Sequence, residues 1–237
     1  MFIIAHALAG VLLGLLFLHL TGDRRAPVLG IAASLLPDIM DKPLALVFAE
    51  FASGRAFFHT LLFVLLVFIA TLIFARKNIF VLSLILPCGI LLHEVLDSMW
   101  ELPENWLYPL LGPFVGDGIP PDYFLHNLIV ELTTPSEWVF IGAGVVLLAG
   151  PARLFTIPEG FFPYERMFRY GMATVLSVMG IVMITGGLFG CGTFFAPTYS
   201  PGTGIMAGIL AFIPVIVFIK GQVPVTGTTP TRSTQEM

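Results

Sequence analysis

The fold is decided first by residues 1–20, which read MFIIAHALAGVLLGLLFLHL. A helix needs about 20 consecutive apolar residues to cross the ~30 Å hydrocarbon core of a bilayer, and this stretch meets that length. It lacks the positively charged start and the small-residue cleavage site of a secretory signal peptide. We therefore expect Met1–Leu20 to be a retained first transmembrane helix.

Further apolar windows of similar length follow along the chain. Three are strong and the last two are weaker: Ala56–Ala75, Ile79–Met99, Met172–Gly192, Phe124–Gly150 and Gly204–Lys220. With 57% hydrophobic residues, 11% charged residues and a mean hydropathy of +0.95, the 237-residue chain is too apolar for a water-soluble domain. The sequence predicts an all-α, polytopic bundle of transmembrane helices with about six to seven crossings.

One segment between the first two strong windows does not fit a simple crossing. Ala26–Pro37 would rise only ~18 Å as a helix, and Pro37–Pro43 contains two prolines and three charged residues. Such a backbone at membrane depth must be buried in protein or face water. We therefore expect a broken or re-entrant segment around residues 26–43. The broken form, which completes a crossing, puts most Lys and Arg on one side and favours seven crossings with the N-terminus outside.

Composition also divides the chain and excludes some functions. We expect a membrane domain over residues 1–150, a pair of transmembrane helices over 151–221 and a disordered tail over 222–237, which is rich in Thr and Pro. A net charge of -4 without a basic run argues against nucleic-acid binding. Cys88 and Cys191 have no CxxC partner, so no thiolate metal site is predicted.

Ionisable residues inside a membrane are costly and therefore mark functional positions. Under the preferred topology, eight of them reach one depth on one side of the bundle: His6, Asp38, Asp41, Arg55, His59, His93, Glu94 and Asp97. His93 and Asp97 are four residues apart and share a helical face, as do Arg55 and His59. Imidazoles and carboxylates together form a ligand set suited to Zn²⁺, or to Mn²⁺ or Fe²⁺. A structural polar network and an ion or proton pathway remain open alternatives.

Two other ionisable residues are weaker candidates for contacts around the site. His126 and Glu131 are five residues apart and do not share a helical face.

Five short motifs, taken in order, point to a family. They are AHA at Ala5–Ala7, SLLPDIMDKP at Ser34–Pro43, GR at Gly54–Arg55 with FHTLL at Phe58–Leu62, LHEVLD at Leu92–Asp97 and WLYPL at Trp106–Leu110. Over residues 1–115 this series resembles the YdjM-like family of predicted membrane-bound metal-dependent hydrolases. That family is similar in its His and Asp pattern to the zinc-dependent phospholipase C and single-strand nuclease superfamily. The resemblance implies metal-ligand roles for His6, Asp38, His59, His93 and Asp97.

The sequence departs from the family pattern at one position that bears on the metal. Met40 stands where many members carry a second acid, so either Asp41 takes that duty or the number of metal ions falls.

Residues and resemblance together predict a membrane-bound, metal-dependent hydrolase. We expect it to cleave a phosphoester of a lipid or lipid-linked substrate at the outer face of the cytoplasmic membrane, with zinc as the first candidate metal. Asp41 is expected to be a further ligand or a general base, and Arg55 to bind a phosphate oxygen. The alternatives are a metal-ion or proton-coupled transporter that uses the same cluster, and a scaffold protein that binds no metal.

Overall fold

The computed structural model describes residues 3–48, 54–77, 79–115, 122–149, 162–195, 197 and 199–220. Every secondary-structure element assigned within these ranges is a helix, which confirms the all-α fold class. The α-helices are α1 (Ile3–Thr21), α2 (Ala26–Val47), α3 (Leu61–Phe74), α4 (Phe80–Ser83), α5 (Ile85–Leu96), α6 (Pro103–Trp106), α7 (Tyr123–Thr133), α8 (Pro135–Ala149), α9 (Phe162–Leu188) and α10 (Pro201–Lys220).

Fewer helices are long enough to span a membrane than the hydropathy windows predict. Within the described residues three pass by length and composition: Ile3–Thr21, Met167–Leu188 and Pro201–Ile219. Helices α7 and α8 qualify only as a pair, and they are bent by 74° at their junction. The structure thus supports three to four spans, and the six to seven predicted crossings are not confirmed.

The window Ala56–Ala75 is shorter as a helix than its apolar length suggests. Its first residues form a 3₁₀ turn, Phe57–His59, and α3 begins only after Thr60. The Thr60 hydroxyl accepts a hydrogen bond from the backbone N–H of Phe63 and so caps α3. The backbone N–H groups of Ala56 and Phe58 bond to the Asp41 carboxylate, which holds this turn out of the helix.

The break predicted around residues 26–43 is absent, because α2 continues from Ala26 to Val47 through Pro37 and Pro43. As one helix, its 22 residues extend ~33 Å. Its charged residues have partners within the protein, including an ion pair between Lys42 Nζ and Asp38 Oδ2 at 2.7 Å. The charges are therefore accommodated without opening the helix, which corrects the sequence-based prediction.

Glycines allow the first helices to approach closely enough to share a site. A Cβ atom added to Gly30 of α2 would collide with the backbone carbonyl of Gly10 in α1. Where α2 meets α5, a Cβ atom on Gly89 of α5 would press on the side chain of Ala33 in α2. Small residues at such crossings are typical of membrane helices, whose association depends on backbone proximity.

The C-terminal helices form a more apolar pair. Helix α9 packs along α10, and Met179, Met183, Leu210 and Phe218 are buried between and around them. The division of the chain at residue 150 stays a prediction, since residues 150–161 lie outside the described ranges. The tail predicted to be disordered, residues 222–237, also lies outside them.

Candidate metal centre

The residues predicted to converge come together at one place. Helix α1 supplies His6, α2 supplies Asp38 and Asp41, the 3₁₀ turn and the residues before it supply His59 and Arg55, and the end of α5 supplies His93 and Asp97. All are buried except Arg55, whose side chain is 33% exposed. Residues far apart in the chain therefore form one cluster inside the helical bundle.

Four of these residues are arranged closely enough to share a cation. Asp38, His59, His93 and Asp97 each offer one ligand atom, and the four atoms lie within 4.8 Å of one another. The two imidazole Nε2 atoms are 3.1 Å apart, and His59 Nε2 is 3.5 Å from Asp38 Oδ1. Two nitrogen ligands of a tetrahedral zinc ion, at Zn–N distances of ~2.0–2.1 Å, are separated by ~3.3 Å. The Nε2 pair is therefore spaced much as two ligands of one zinc ion would be, and the group as a whole could hold a metal ion.

The outer nitrogen of each imidazole is fixed by an acceptor. His59 Nδ1 lies 2.6 Å from Asp41 Oδ2, and His93 Nδ1 lies 2.6 Å from the backbone carbonyl oxygen of Ser34. A carboxylate and a carbonyl accept hydrogen bonds, so we infer that each Nδ1 carries the hydrogen and donates it. In the neutral ring, each Nε2 is then unprotonated and turned toward the other one.

This arrangement creates a strongly electron-rich position. With both rings neutral and each hydrogen on Nδ1, two nitrogen lone pairs would face each other at 3.1 Å, and Asp38 Oδ1 and Asp97 Oδ2 each lie 3.9 Å from His93 Nε2. Lone pairs and carboxylates at such distances repel one another in a buried environment unless a cation lies between them. Histidine ligands whose other ring nitrogen is held by a carboxylate or a backbone carbonyl are common at metal sites.

Asp41 contacts His59 at Nδ1, the ring nitrogen that does not face His93. Its Oδ2 atom accepts hydrogen bonds from the backbone N–H groups of Ala56 at 2.9 Å and Phe58 at 3.1 Å, in addition to the bond from His59. The same carboxylate thus shapes the 3₁₀ turn and orients the ring that the turn carries. These contacts occupy Asp41 and lend no support to a general-base role, which stays a prediction.

Two cationic side chains contact the acidic residues of the group. Arg55 Nε is 3.0 Å from Asp97 Oδ2, and Lys42 Nζ is 2.7 Å from Asp38 Oδ2. Their side chains are 33% and 22% exposed, whereas those of the two aspartates are below 10%. The cations therefore lie on the more open side of the cluster. Sequence reasoning missed Lys42 as a site residue, although its i,i+4 spacing from Asp38 was a usable signal.

His6 is not one of the group of four, but it contacts Asp97, which is. Its Nε2 atom lies 3.2 Å from Asp97 Oδ1, and its ring centroid is 4.0 Å from that of His93. The remaining oxygen of Asp97 contacts Arg55 and faces His93. A ligand role for His6 stays a prediction, while its contact with Asp97 is direct.

The short helix α6 also holds parts of the site in place. Asn105 donates hydrogen bonds to the backbone carbonyls of Arg55 and Val115, each at 2.9 Å. Trp106 Nε1 donates to Glu94 Oε2 at 2.7 Å, so the carboxylate of buried Glu94 is fixed by α6. No local pattern in the sequence marked Asn105. Ser34 acts on His93 through its backbone carbonyl, which no side-chain pattern can reveal.

The two weaker candidates lie apart from this arrangement. His126 is exposed on α7. Glu131 is buried, and its Oε1 atom accepts a hydrogen bond from the backbone N–H of Ile4 at 3.1 Å, at the beginning of α1.

Comparison with known proteins places the chain in a family. The family model described as YdjM inner membrane protein matches residues 1–186, and the chain therefore belongs to that family. The match extends beyond the motifs of residues 1–115 and into α9. No curated protein and no solved structure matches the chain. Family membership and the apolar helices together support a location in the cytoplasmic membrane.

Proposed function

We propose that this member of the YdjM family is a membrane-bound hydrolase that depends on a divalent metal ion held by Asp38, His59, His93 and Asp97. The observation that carries the proposal is the close grouping of two imidazole Nε2 atoms, 3.1 Å apart, with the carboxylates of Asp38 and Asp97, all four residues being buried. Zinc suits such a nitrogen and oxygen ligand set, and manganese or iron is the alternative.

The metal and the residues around it have separate tasks in this proposal. A divalent ion in such a site lowers the pKa of a bound water and polarises a phosphoryl or carbonyl oxygen. Asp41 and the Ser34 carbonyl keep the two imidazoles aimed at the ion. Asp41 is thus a positioning residue.

An anionic, phosphate-bearing substrate fits the cations on the open side of the cluster. The Arg55 guanidinium carries five N–H donors in a planar fork suited to phosphate, and its contact with Asp97 is made through Nε. Lys42 adds an ammonium group beside Asp38. A phosphoester is therefore a better substrate for this site than a neutral ester, because its charged oxygens match both donors.

The membrane location favours a lipid or lipid-linked substrate. A site reached from the headgroup region meets lipid phosphates first. We place the site at the outer face, which is where the bias of basic residues puts it under the seven crossings expected from the sequence.

Transport of a metal ion or of protons is the alternative function. Its support in the sequence is the same His and Asp cluster, together with the broken helix predicted at residues 26–43, because many transporters bind ions where helices are interrupted. Helix α2 runs unbroken through that region. Transport is therefore kept as an outcome of the test rather than argued as a second proposal.

The test uses full-length protein purified in detergent, loaded with zinc and offered a chromogenic phosphodiester and liposomes of an anionic glycerophospholipid. We expect wild type and the His126→Ala control to cleave a phosphoester, and His59→Ala to lose at least about 100-fold in rate. His126 is a suitable control because it is exposed on α7. Zinc-loaded wild type that cleaves neither substrate but carries zinc across liposomes would replace the hydrolase proposal with transport.

A further inference from the structure

The segment that leads into α10 contacts two distant parts of the molecule. We call residues 199–202 the strap. The Tyr199 hydroxyl donates a hydrogen bond to Glu137 Oε1 at 2.7 Å. Ser200 Oγ donates to Glu101 Oε2 at 3.0 Å, and the backbone N–H of Gly202 donates to Glu101 Oε1 at 3.2 Å. The strap thus holds two carboxylates, one from α8 and one from the turn after α5.

The first contact leads to the residue before His6. Glu137, only 1% exposed, uses its second oxygen, Oε2, to accept the backbone N–H of Ala5 at 3.2 Å. The first N–H groups of a helix have no partner within the helix, and a carboxylate there both accepts their hydrogen bonds and interacts favourably with the helix dipole. Tyr199 therefore fixes the carboxylate that fixes the first turn of α1.

The second contact leads to the residues after Asp97. Ser98 has a left-handed backbone conformation with φ of 55°, which is uncommon for a residue other than glycine. The backbone N–H of Glu101 donates to the Ser98 carbonyl at 2.8 Å and closes the turn. A Cβ atom on Gly202 would collide with Glu101 Oε1 and lie 3.0 Å from Ser98 Oγ. The strap is therefore seated directly on this turn.

The first series of contacts ends next to His6 and the second ends next to Asp97. These two residues contact each other, since His6 Nε2 is 3.2 Å from Asp97 Oδ1. We propose that the strap positions the His6–Asp97 pair of the metal centre, with Tyr199, Glu137 and Glu101 as positioning residues. The contacts that carry this inference do not depend on a metal ion. Its consequence for metal binding rests on the proposed function. It makes the C-terminal helices part of the scaffold of the site.

Hydrogen exchange of the metal-free, full-length protein in detergent tests the positioning without reference to metal. Tyr199→Phe should speed exchange around Ile4–His6, and Gly202→Ala should speed it around Ser98–Leu102. The matched controls are Tyr170→Phe and Gly171→Ala on α9, where Tyr170 is 49% exposed and a Cβ atom on Gly171 meets nothing within 4 Å. Unchanged exchange at both segments in folded variants would overturn the proposal, and Tyr199→Phe keeps it testable if Gly202→Ala does not fold.

Zinc affinity then tests the consequence for the site. We expect Tyr199→Phe to weaken zinc binding by about tenfold and to change the visible absorption of the cobalt-substituted protein, while Tyr170→Phe changes neither. In a His6→Ala background the tyrosine change should have no further effect. Full zinc affinity in Tyr199→Phe, or an equal loss in the His6→Ala background, would contradict the proposal. Wild type that binds no zinc would overturn the proposed function, and the exchange result alone would then decide the role of the strap.

Discussion

The N-terminal helices α1, α2 and α5 and the C-terminal pair of α9 and α10 use the same packing device for different interiors. In both regions glycines let backbones meet: Gly30 lies against Gly10, and Gly208 lies against Gly180. The first region buries imidazoles and carboxylates, whereas the second buries methionine, leucine and phenylalanine side chains. Close helix packing is therefore general in this molecule, and the buried ionisable groups are what distinguish the site.

The same contrast explains which helices look like membrane spans. Helices α9 and α10 contain apolar stretches long enough to cross, while α3 and the Phe80–Leu96 stretch are shorter and α2 contains three charged residues within Asp38–Lys42. Charged residues are tolerated there because each faces a partner in the protein. Hydropathy thus identifies membrane spans best in helices that carry few charged residues.

The largest expected effect comes from removing the acid that contacts both His6 and Arg55. Asp97→Ala should lower the free energy of unfolding by about 3 kcal/mol, the lower end for breaking a buried ion pair, since a third of the Arg55 side chain is exposed. Unfolding in detergent mixtures measures this loss. Asp97→Asn, which keeps the shape, should lose less. A change below about 1 kcal/mol in Asp97→Ala would show that the cluster is not a buried charge network.

A matched pair of glycine variants separates packing from chemistry. Gly30→Ala and Gly208→Ala should each cost about 1–3 kcal/mol of stability, because each added methyl group meets backbone of the neighbouring helix. Gly30→Ala should weaken zinc binding more than Gly208→Ala, since α2 carries Asp38 itself whereas α10 acts on the site only through the strap. Thermal unfolding and zinc titration of both variants, with Gly171→Ala as control, make the comparison. Equal loss of zinc affinity in both would erase the distinction between the two regions.

A smaller effect is expected from the acid that orients His59. Asp41→Asn retains an oxygen acceptor but removes the charge that holds the ring, and it should weaken zinc binding by about 10- to 100-fold. Competition with a chelator measures the affinity. The exposed Asp23, paired with Arg25 near the other end of α1, is the control, and Asp23→Asn should leave zinc affinity unchanged. An unaltered zinc affinity in Asp41→Asn would show that Asp41 does not position His59 for metal binding.

The smallest effect concerns recognition rather than metal. Arg55→Lys keeps the charge but loses the planar fork, so KM for a phosphodiester should rise by about tenfold while zinc content stays at the wild-type level. Arg25→Lys is the control, because Arg25 is exposed and pairs with Asp23. Steady-state kinetics and elemental analysis on the same preparations give both values. A fall in zinc content with unchanged KM would assign Arg55 to holding Asp97 alone.

Much of the site was predictable from spacing along the chain. The i,i+4 pair of His93 with Asp97 and the family motifs identified residues that do converge. The helical face predicted for Arg55 and His59 is wrong, because Arg55 precedes the 3₁₀ turn that carries His59 and reaches the site through its contact with Asp97. The convergence could be expected because a buried ionisable group needs partners.

The rest depended on contacts that no local pattern encodes. Tyr199 bonds to Glu137 across 62 positions and Gly202 to Glu101 across 101. The unbroken course of α2 was also unpredictable, because proline rules are local whereas the partners of its charges lie elsewhere in the chain. Sequence windows overestimated α3 for the same reason, since Asp41 holds the turn before it.

The central claim is that Asp38, His59, His93 and Asp97 hold a divalent metal ion, and elemental analysis tests it most directly. Full-length protein in detergent would be reconstituted separately with zinc, manganese and iron, freed of unbound metal and analysed. We expect about one ion per chain in wild type and in the His126→Ala control, and none in His59→Ala or in the His93→Ala, Asp97→Ala double variant. Wild type that retains none of the three metals, or variants that retain as much as wild type, would contradict the claim.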